Sequence, residues 1–401
     1  MAGEAAETAG RRKRRRWSRI AILLSIFSAL LLLNLFPGCR SLFRNAIYSC
    51  LPTAPKTIEL SGSPREMGVI HGKERSWAVG ALCDIYIKGI LCGGDESILK
   101  KREKAAVAVF DSIAPRWGEE IAGIAEGAGV DVDTLKFGNV FLDLGSCRAG
   151  CREVVAFGKA SDGSTRLLHA HNLDWDNLGG IGNFIVTIFR AEASEGRFAT
   201  VRMGFPGMVG ALTIINEKGV SLGFNQLGLS NGDMEGAPVF VALRDIAETC
   251  ADFDAAEKRI LSLPKGMPFC IVLADAVNAK AAVYERWTNG TLVSKRSAVD
   301  GVVAADNSPW CGSGMAGCPV DAVARSAGIF SGGVSGDVPV ERLKGVLRDP
   351  RVLLECDIYS VIFDYARNRM YLAAGRVPAA RGEYFEYDLF DKGSSDAGEN
   401  P

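Results

Sequence analysis

The chain has 401 residues, of which 48% are apolar, so it can bury a substantial core as one large domain or as two. Its formal net charge of -1 gives no sign of a nucleic-acid partner. The eleven cysteines include no CxxC pair, which leaves a structural zinc site with little support.

The amino-terminal region carries a basic run at residues 11–16 and then an uncharged apolar stretch at residues 20–36. As a helix, that stretch would span roughly 25 Å, near the short limit for a bilayer core of about 30 Å. The pattern predicts a basic cytoplasmic tail (1–19), a transmembrane signal anchor (20–36) and a linker (37–57). By the positive-inside rule, the rest of the chain is then extracytoplasmic, whether periplasmic, extracellular or lumenal. A cleaved signal peptide and a lipoprotein signal that ends before Cys39 are the alternatives.

The next section is predicted to be mostly helical, and strands dominate after residue 150. Helical spacing covers 96–113, 119–128 and 132–144. Strands are predicted at 154–160, 166–172, 184–190, 198–203, 212–215, 220–225, 270–274, 281–287, 291–295, 360–363, 370–373 and 384–387. Two helices interrupt them, at 239–250 and from Asp254 to about 263, and residues 391–401 form a polar tail that we expect to be disordered. Hairpins separated by paired helices predict an α+β fold with antiparallel sheets and the helices outside.

The junction Gly150-Cys151 precedes two strands that flank the turn signal Asp162-Gly163, and the second strand runs into the motif 171–175, His-Asn-Leu-Asp-Trp. A cysteine at a free amino terminus combines a thiol nucleophile with an α-amine whose pKa of about 7.7–8.0 suits a general base. The layout therefore predicts a cut between Gly150 and Cys151. It would separate a helical, propeptide-like segment (58–150) from a catalytic chain (151–390).

Six ordered segments between residues 58 and 389 resemble the N-terminal nucleophile hydrolases, in particular the autoproteolytic acyl-coenzyme A:isopenicillin N acyltransferase-like family. That family is related to choloylglycine hydrolase and acid ceramidase. The resemblance implies a four-layer αββα sandwich and a heterodimer of the two processed chains. The segments are 63–68 with His71-Gly72, 123–130, Gly150-Cys151 with 172–175, 216–220 with 223–225, 307–309, and 360–364.

The resemblance also implies a role for each matching residue. Cys151 is the nucleophile, and Asp174 holds its α-amine. Asn225 and Asn307 lie around the oxyanion, where one amide donor is typically worth about 2.7–4 kcal/mol of barrier. Arg325 stands near the place of a later family arginine. The alternative interpretations are a small buried apolar residue for Cys151, strand-end turn residues for Asp174 and Asn225, a loop residue for Asn307 and a surface salt bridge for Arg325.

Two features depart from a simple match. His171 stands where bile-salt and ceramide hydrolases carry arginine, and its charge is not permanent. His169 and His171 share one strand face and could bind a metal, but His71 is the only other histidine in the sequence, so we predict neither a metal nor a cofactor. Cys147 also follows small residues, but it lies farther from the 172–175 motif than the family spacing allows.

These observations predict a self-processing cysteine amidohydrolase that cleaves an N-acyl amide through a thioester acyl-enzyme, with a lipophilic acyl chain as a natural substrate of an anchored catalyst. One alternative is an acyltransferase that moves an acyl group from a thioester donor to an amine. Another is a phospholipase-B-like lipid esterase, a group that also carries histidine before the asparagine of the 172–175 motif. The unusual start Cys151-Arg152-Glu153 leaves room for a fourth function, an inactive membrane-tethered binding module.

Overall fold

The structure is a computed structural model that describes residues 55–145, 150–175, 186–194, 196–288, 290–307, 319–332 and 335–390. The predicted basic tail, transmembrane anchor, most of the linker and the polar tail 391–401 lie outside these residues, as does Cys147. In the part of the chain that is described, no single helix meets the length and hydropathy needed to cross a membrane. The segments Ser76–Leu91 and Glu96–Asp111 meet them only as a pair, bent by 111°. All of the described residues belong to one compact unit.

Helices dominate the section before residue 150, as predicted, and three of them were not anticipated. The first strand is β1 (Lys56–Leu60). It is followed by α1 (Pro64–Glu74), α2 (Ser76–Ala81), a π-helix (Leu82–Leu91), α3 (Glu96–Asp111), α4 (Pro115–Ala128) and α5 (Val132–Gly138). The sequence predicted α3 and α4 well but extended α5 to residue 144. α5 instead ends at Asn139, whose side-chain amide donates to the carbonyls of Leu135 and Gly207.

The remaining elements form two sheets with helices between some of the strands. They are β2 (Gly150–Lys159), β3 (Thr165–Asp174), β4 (Thr187–Ala191), β5 (Thr200–Gly204), β6 (Thr213–Asn216), β7 (Val220–Gln226), α6 (Val239–Thr249), α7 (Phe253–Leu261), β8 (Phe269–Asp275), β9 (Lys280–Arg286), β10 (Ser294–Ser297), β11 (Val302–Asp306), α8 (Pro319–Ser326), α9 (Val338–Arg348), β12 (Asp357–Asp364), β13 (Arg369–Ala373) and β14 (Phe385–Asp388).

The larger sheet has the order β1-β4-β5-β6-β7-β8-β9-β10, and the smaller has the order β11-β2-β3-β12-β13-β14. Every pairing is antiparallel, as predicted, except that β1 runs parallel to β4. β1 comes from the section before the junction, so the predicted propeptide-like segment contributes an edge strand to the larger sheet.

Alternating side chains along the strands produce four layers. Val154 and Ala156 of β2 pack against α8 and α9, whereas Val155 between them packs against β8 and β9 of the other sheet. On the larger sheet, Ile271 and Leu273 of β8 lie in the core with α6 and α7. A period of two places successive residues on opposite faces of a strand. The order is therefore helices, larger sheet, smaller sheet, helices, which is the expected α+β sandwich.

The first two family-like motifs meet where α1 packs on α4. A methyl group added to Gly68 of α1 would lie 2.1 Å from the carbonyl oxygen of Glu120, and one added to Gly123 of α4 would lie 2.2 Å from that of Arg65. The two backbones therefore touch, which only glycine allows. Ser63 and Glu66 form a capping box at the start of α1, so this motif sets both where the helix begins and how closely it packs.

Candidate active site

Cys151 is the second residue of β2, and its side chain is fully buried in the core between the sheets. Its backbone N–H donates to Oδ1 of Asn307, 2.6 Å away. Burial raises the pKa of the thiol well above its usual value, and the negative charges of Asp174 and Glu153 raise it further. In the uncut chain the thiol is therefore protonated and shielded from solvent.

Asp174 ends β3 directly opposite Gly150, so its carboxyl group lies beside the predicted cut. A methyl group added to Gly150 would lie 2.9 Å from the Cβ of Asp174. Neither carboxyl oxygen has a hydrogen-bond partner among the described residues, and Nη1 of Arg152 lies 3.8 Å from Oδ2. Burial raises the pKa of Asp174 to about 7, although the charge of Arg152 acts to lower it. This carboxyl group could accept a hydrogen bond from an amine formed at Cys151.

Asn307 directly follows β11 and links the start of β2 to the larger sheet. Its Oδ1 accepts from the N–H of Cys151 and, at 3.3 Å, from the guanidinium of Arg152. Its Nδ2 donates to the carbonyl oxygen of Gln226 at the end of β7, 2.6 Å away. In the uncut chain Asn307 therefore orients the cysteine backbone, while one of the two hydrogens of its Nδ2 is donated to Gln226.

Asn225 of β7 faces a different partner. Its Nδ2 donates to Oε2 of Glu153, 2.6 Å away, and Glu153 lies two residues after Cys151 on the same face of β2. The other carboxyl oxygen of Glu153 lies 2.6 Å from Nε2 of His169, whose Nδ1 lies 2.7 Å from Oγ of Ser221. All four side chains are buried. Asn225 is thus part of a network between the sheets that the sequence did not indicate.

His171 lies opposite Glu153 on the neighbouring strand. Its Nδ1 is 2.6 Å from Oγ1 of Thr213, which is itself 2.7 Å from the hydroxyl of Tyr359, and its Nε2 has no partner within the described part of the chain. Burial lowers the pKa of His171 to about 4. The ring is therefore neutral near pH 7, and the guanidinium next to Cys151 comes from Arg152, which donates to the carbonyl oxygen of Cys151 at 2.7 Å.

Arg325 is not brought together with Cys151. It lies on α8, where it forms an ion pair with Asp321 at 2.7 Å and donates to the carbonyl oxygens of Val299 and Val302. Val302 begins β11, whereas Asn307 follows its other end. In this arrangement Arg325 holds α8 against the turn before β11.

Asp357 is a site residue that sequence reasoning missed. It begins β12 directly opposite Asp174 and is fully buried. Its Oδ2 accepts from the backbone N–H of Ala380 at 2.7 Å, and its Oδ1 has no partner in the residue ranges described. An aspartate just before the predicted strand 360–363 looked like an ordinary strand-end residue. Only the pairing of β12 with β3 brings it to the junction.

An apolar cleft is lined by residues next to these two aspartates in the chain. Trp175 and Ile358, which follow Asp174 and Asp357 in the chain, line it together with side chains of the π-helix. The cleft holds about 740 Å³ of empty space, part of it open to solvent. Nε1 of Trp175 donates to the hydroxyl of Tyr86, 3.2 Å away, which ties the end of β3 to the π-helix. The lining suits an apolar group. Three or more acidic, histidine or cysteine side chains able to hold a metal ion do not come together anywhere among the described residues.

Comparison with known proteins gives a family match and distant relatives. Residues 160–302 match the sequence model of the acyl-coenzyme A:6-aminopenicillanic acid acyl-transferase family. The chain is 26% identical over 216 residues to the acyl-coenzyme A:6-aminopenicillanic-acid-acyltransferase 40 kDa form of Emericella nidulans, which covers 50% of this chain and 55% of the relative. It is 22% identical over 243 residues to an uncharacterized protein of Archaeoglobus fulgidus, covering 54% and 41%. The chain thus spans about half the length of these curated relatives.

Two solved structures are also similar. The N-acylethanolamine-hydrolyzing acid amidase ortholog of Caenorhabditis elegans aligns with a TM-score of 0.41 and 17% identity, over 60% of this chain and 100% of that one. A variant of the conjugated bile acid hydrolase of Clostridium perfringens aligns with a TM-score of 0.41 and 14% identity, over 59% and 92%. The family match and the fungal relative confirm the predicted relation to the acyltransferase-type N-terminal nucleophile hydrolases.

Proposed function

From this relation to the acyltransferase-type N-terminal nucleophile hydrolases, we propose that the chain cuts itself before Cys151 and then hydrolyses a lipophilic N-acyl amide through a thioester on Cys151. The observation that carries the proposal is the arrangement at the junction. The N–H of Cys151 is held by Asn307 at 2.6 Å, and the buried carboxyl group of Asp174 lies beside Gly150. An amine released there would meet two acceptors already in position.

The released amine would then serve as the base. In the uncut chain the thiol is protonated because burial disfavours the thiolate. The α-amine of Cys151 takes the thiol proton, and Sγ attacks the substrate carbonyl carbon to form a tetrahedral oxyanion. The resulting ammonium gives its proton to the leaving nitrogen as the C–N bond breaks, and water then hydrolyses the thioester. Asp174 and Asn307 orient the amine throughout.

In the uncut chain one N–H of each asparagine is engaged, because Asn307 donates to Gln226 and Asn225 donates to Glu153. An oxyanion role for Asn307 would use the other hydrogen of its Nδ2, since the bond to Gln226 takes only one of the two. Asn225 donates to Glu153 rather than to an atom of Cys151, so we assign it to holding the Glu153 network in place.

The apolar cleft supports a lipophilic acyl group. Its walls combine Tyr86 and Ile87 of the π-helix with Trp175, Phe205 and Phe240 from after the junction. Burying a methylene in such a cleft is worth about 0.8 kcal/mol, so affinity should rise with acyl chain length until the cleft is full. Transfer of the acyl group to an amine, which the family match would also allow, differs from hydrolysis only in the last step, where an amine rather than water attacks the thioester.

Self-cutting is tested by denaturing electrophoresis of the purified full-length chain. Wild type should give fragments of about 16 and 27 kDa, in proportion to 150 and 251 residues of the 42.8 kDa chain, and the larger should begin Cys-Arg-Glu-Val. Cys151→Ala should stay intact, whereas Cys270→Ala, which removes another fully buried cysteine, should be cut normally. An intact wild-type chain, or a Cys151→Ala chain that is still cut at this bond, would sink the proposal.

The reaction is tested with N-acyl amides of increasing chain length, with and without an added acceptor amine. Free fatty acid as the main product in both conditions supports hydrolysis. N-acylated acceptor as the main product would instead indicate acyl transfer, and release of fatty acid from lipid esters but not from amides would indicate an esterase.

A further inference from the structure

Two buried carboxyl groups face each other at the junction, those of Asp174 and Asp357, and the mechanism above uses only the first. Asp174 ends β3 and Asp357 begins β12, and the two residues are directly opposite in the register of these strands. Each is at most 1% exposed. Three of their four oxygens have no hydrogen-bond partner among the residues that the structure describes, and the fourth accepts from the N–H of Ala380.

The charged and titratable groups around the pair come from several elements. Arg152 of β2 approaches Asp174 to 3.8 Å, and Cys151 adjoins it on the same strand. Tyr359 of β12 and Tyr384 after β13 lie within electrostatic range of Asp357. From α9, Arg348 binds the carbonyl oxygens of Ala380 and Gly382 rather than either carboxyl group. Among the described residues, Arg152 is therefore the guanidinium that approaches the pair, and it does so at Asp174.

Two carboxylates in such a place cannot both ionise easily, because each disfavours the charge of the other and burial disfavours both. Consistent with this, the pKa of Asp174 is raised to about 7 by burial, and that of Asp357 is raised well above its usual range by burial and by Asp174. A pair of this kind retains its last proton to a higher pH than a single carboxyl group would.

We propose that Asp174 and Asp357 act as one carboxyl pair that holds a proton in the uncut chain and gives it to the nitrogen of Cys151 when the Gly150–Cys151 bond breaks. Asp357 is a positioning residue, because it acts through Asp174. This inference rests on the proposed self-cutting and adds to it the source of the proton.

The step balances in atoms and charge. Sγ of Cys151 forms a bond to the carbonyl carbon of Gly150, and the C–N bond to Cys151 breaks. The nitrogen keeps its own hydrogen and receives the thiol proton and the proton of the pair, so it becomes an ammonium, while the pair becomes doubly ionised. Water then hydrolyses the thioester to the carboxylate of Gly150, a proton and the free thiol. The new ammonium and Arg152 then offset the two carboxylates.

The rate of self-cutting as a function of pH tests the inference. The full-length chain is made by cell-free translation, transferred to buffers from pH 5 to pH 10, and its uncut fraction is followed by denaturing electrophoresis. Since the reacting state carries the proton of the pair, the wild-type rate should fall about tenfold per pH unit above the pH at which the last proton is lost. In Asp357→Asn a single carboxyl group remains beside Arg152. The falling limb of the pH–rate profile, where the rate decreases with pH, should therefore begin about one pH unit lower, or more.

Other variants separate this role from a structural one. Asp357→Glu restores two carboxyl groups and should move the limb back toward that of wild type. Glu355→Gln, two residues away and exposed, should leave it unchanged. Should Asp357→Asn fail to fold by circular dichroism, Arg152→Gln decides instead, because loss of this cation should move the limb to higher pH.

A uniform slowing in Asp357→Asn at every pH, or an unmoved limb in the variant that folds, overturns the carboxyl pair and leaves self-cutting intact. Absence of cutting in wild type, or cutting in Cys151→Ala, overturns the proposed function and the pair together.

Discussion

At the scale of single residues, a guanidinium lies beside the predicted nucleophile Cys151, and it comes from Arg152 rather than from position 171. Arg152 follows Cys151 directly, and its Nη1 contacts the cysteine carbonyl oxygen at 2.7 Å and Oδ1 of Asn307 at 3.3 Å. His171, at the position of the family arginine, is buried against Thr213 and is neutral near pH 7. The permanent charge therefore stands at the junction rather than beside the thiol between the sheets.

The buried neutral ring of His171 predicts a pH-dependent contribution to stability. Its folded-state pKa of about 4 lies below its ordinary value of 6.5, so its contribution is present above pH 6.5 and is lost as the pH falls toward 4. In a Cys151→Ala background, which keeps the chain uncut, we expect the parent to gain roughly 3 kcal/mol relative to His171→Asn between pH 4 and pH 6.5. Urea unfolding of both chains across this range measures the difference. A difference that does not change with pH would contradict the prediction.

At the scale of elements, α1 and α4 make the closest contact in the helical section. The carbonyl oxygen of Glu120 occupies the space of a side chain at Gly68. That of Arg65 occupies the space of a side chain at Gly123. Contact of this kind leaves no room for a methyl group at Gly68 or at Gly123. The first two family-like motifs are therefore explained by helix packing.

We expect Gly123→Ala to destabilise the Cys151→Ala chain by about 3 kcal/mol or more, because the two helix backbones must separate. Gly118→Ala on the same helix is the matched control, since no atom lies within 4 Å of its added methyl group. It should be neutral or stabilising by up to about 1 kcal/mol, as alanine is the better helix former. Thermal and urea unfolding of both variants measure these effects. Equal effects of the two substitutions would show that backbone contact between α1 and α4 is not the cause.

At the scale of the whole molecule, a cut between Gly150 and Cys151 would divide one folded unit, because the two sides of the junction share sheet, core and cleft. β1 is an edge strand of the larger sheet through its pairing with β4. The fully buried ion pair between Glu120 and Arg244, at 2.7 Å, crosses the junction, as does the hydrogen bond from Val209 N–H to Asn139.

We therefore expect the two fragments to remain together after the cut and to separate only in denaturant. Gel filtration of the cut wild-type chain should give one peak that contains both fragments. Glu120→Ala leaves Arg244 buried with Glu248 as its remaining partner. Loss of one partner of a buried ion pair typically costs about 3–5 kcal/mol. The fragments of this variant should therefore dissociate or unfold at a lower urea concentration. Glu126→Ala, on the exposed side of α4, is the control. Separate elution of the wild-type fragments without denaturant would refute the shared core.

Much of the fold was predictable because local patterns specify it. The turn at Asp162-Gly163 and the alternation of apolar residues predicted the hairpin of β2 and β3. The helix α7 was predicted from Asp254, but its cap is Asp252, two residues earlier. Short elements were missed where the local signal is weak. β1, β11, α8 and α9 are among these, and the parallel pairing of β1 with β4 depends on a contact between segments far apart in the chain.

The sequence by itself determined the junction, the candidate nucleophile Cys151 and the relation to a family, because these depend on residue types at short spacing. The tertiary structure alone decided which side chains meet there. It brings Asp174 and Asn307 to the junction, turns Asn225 toward Glu153, keeps Arg325 on α8, and sets Asp357 against Asp174. The physical reason is strand register: which residues face each other across a sheet depends on pairing between distant segments, and a shift of one residue would turn every side chain to the other face.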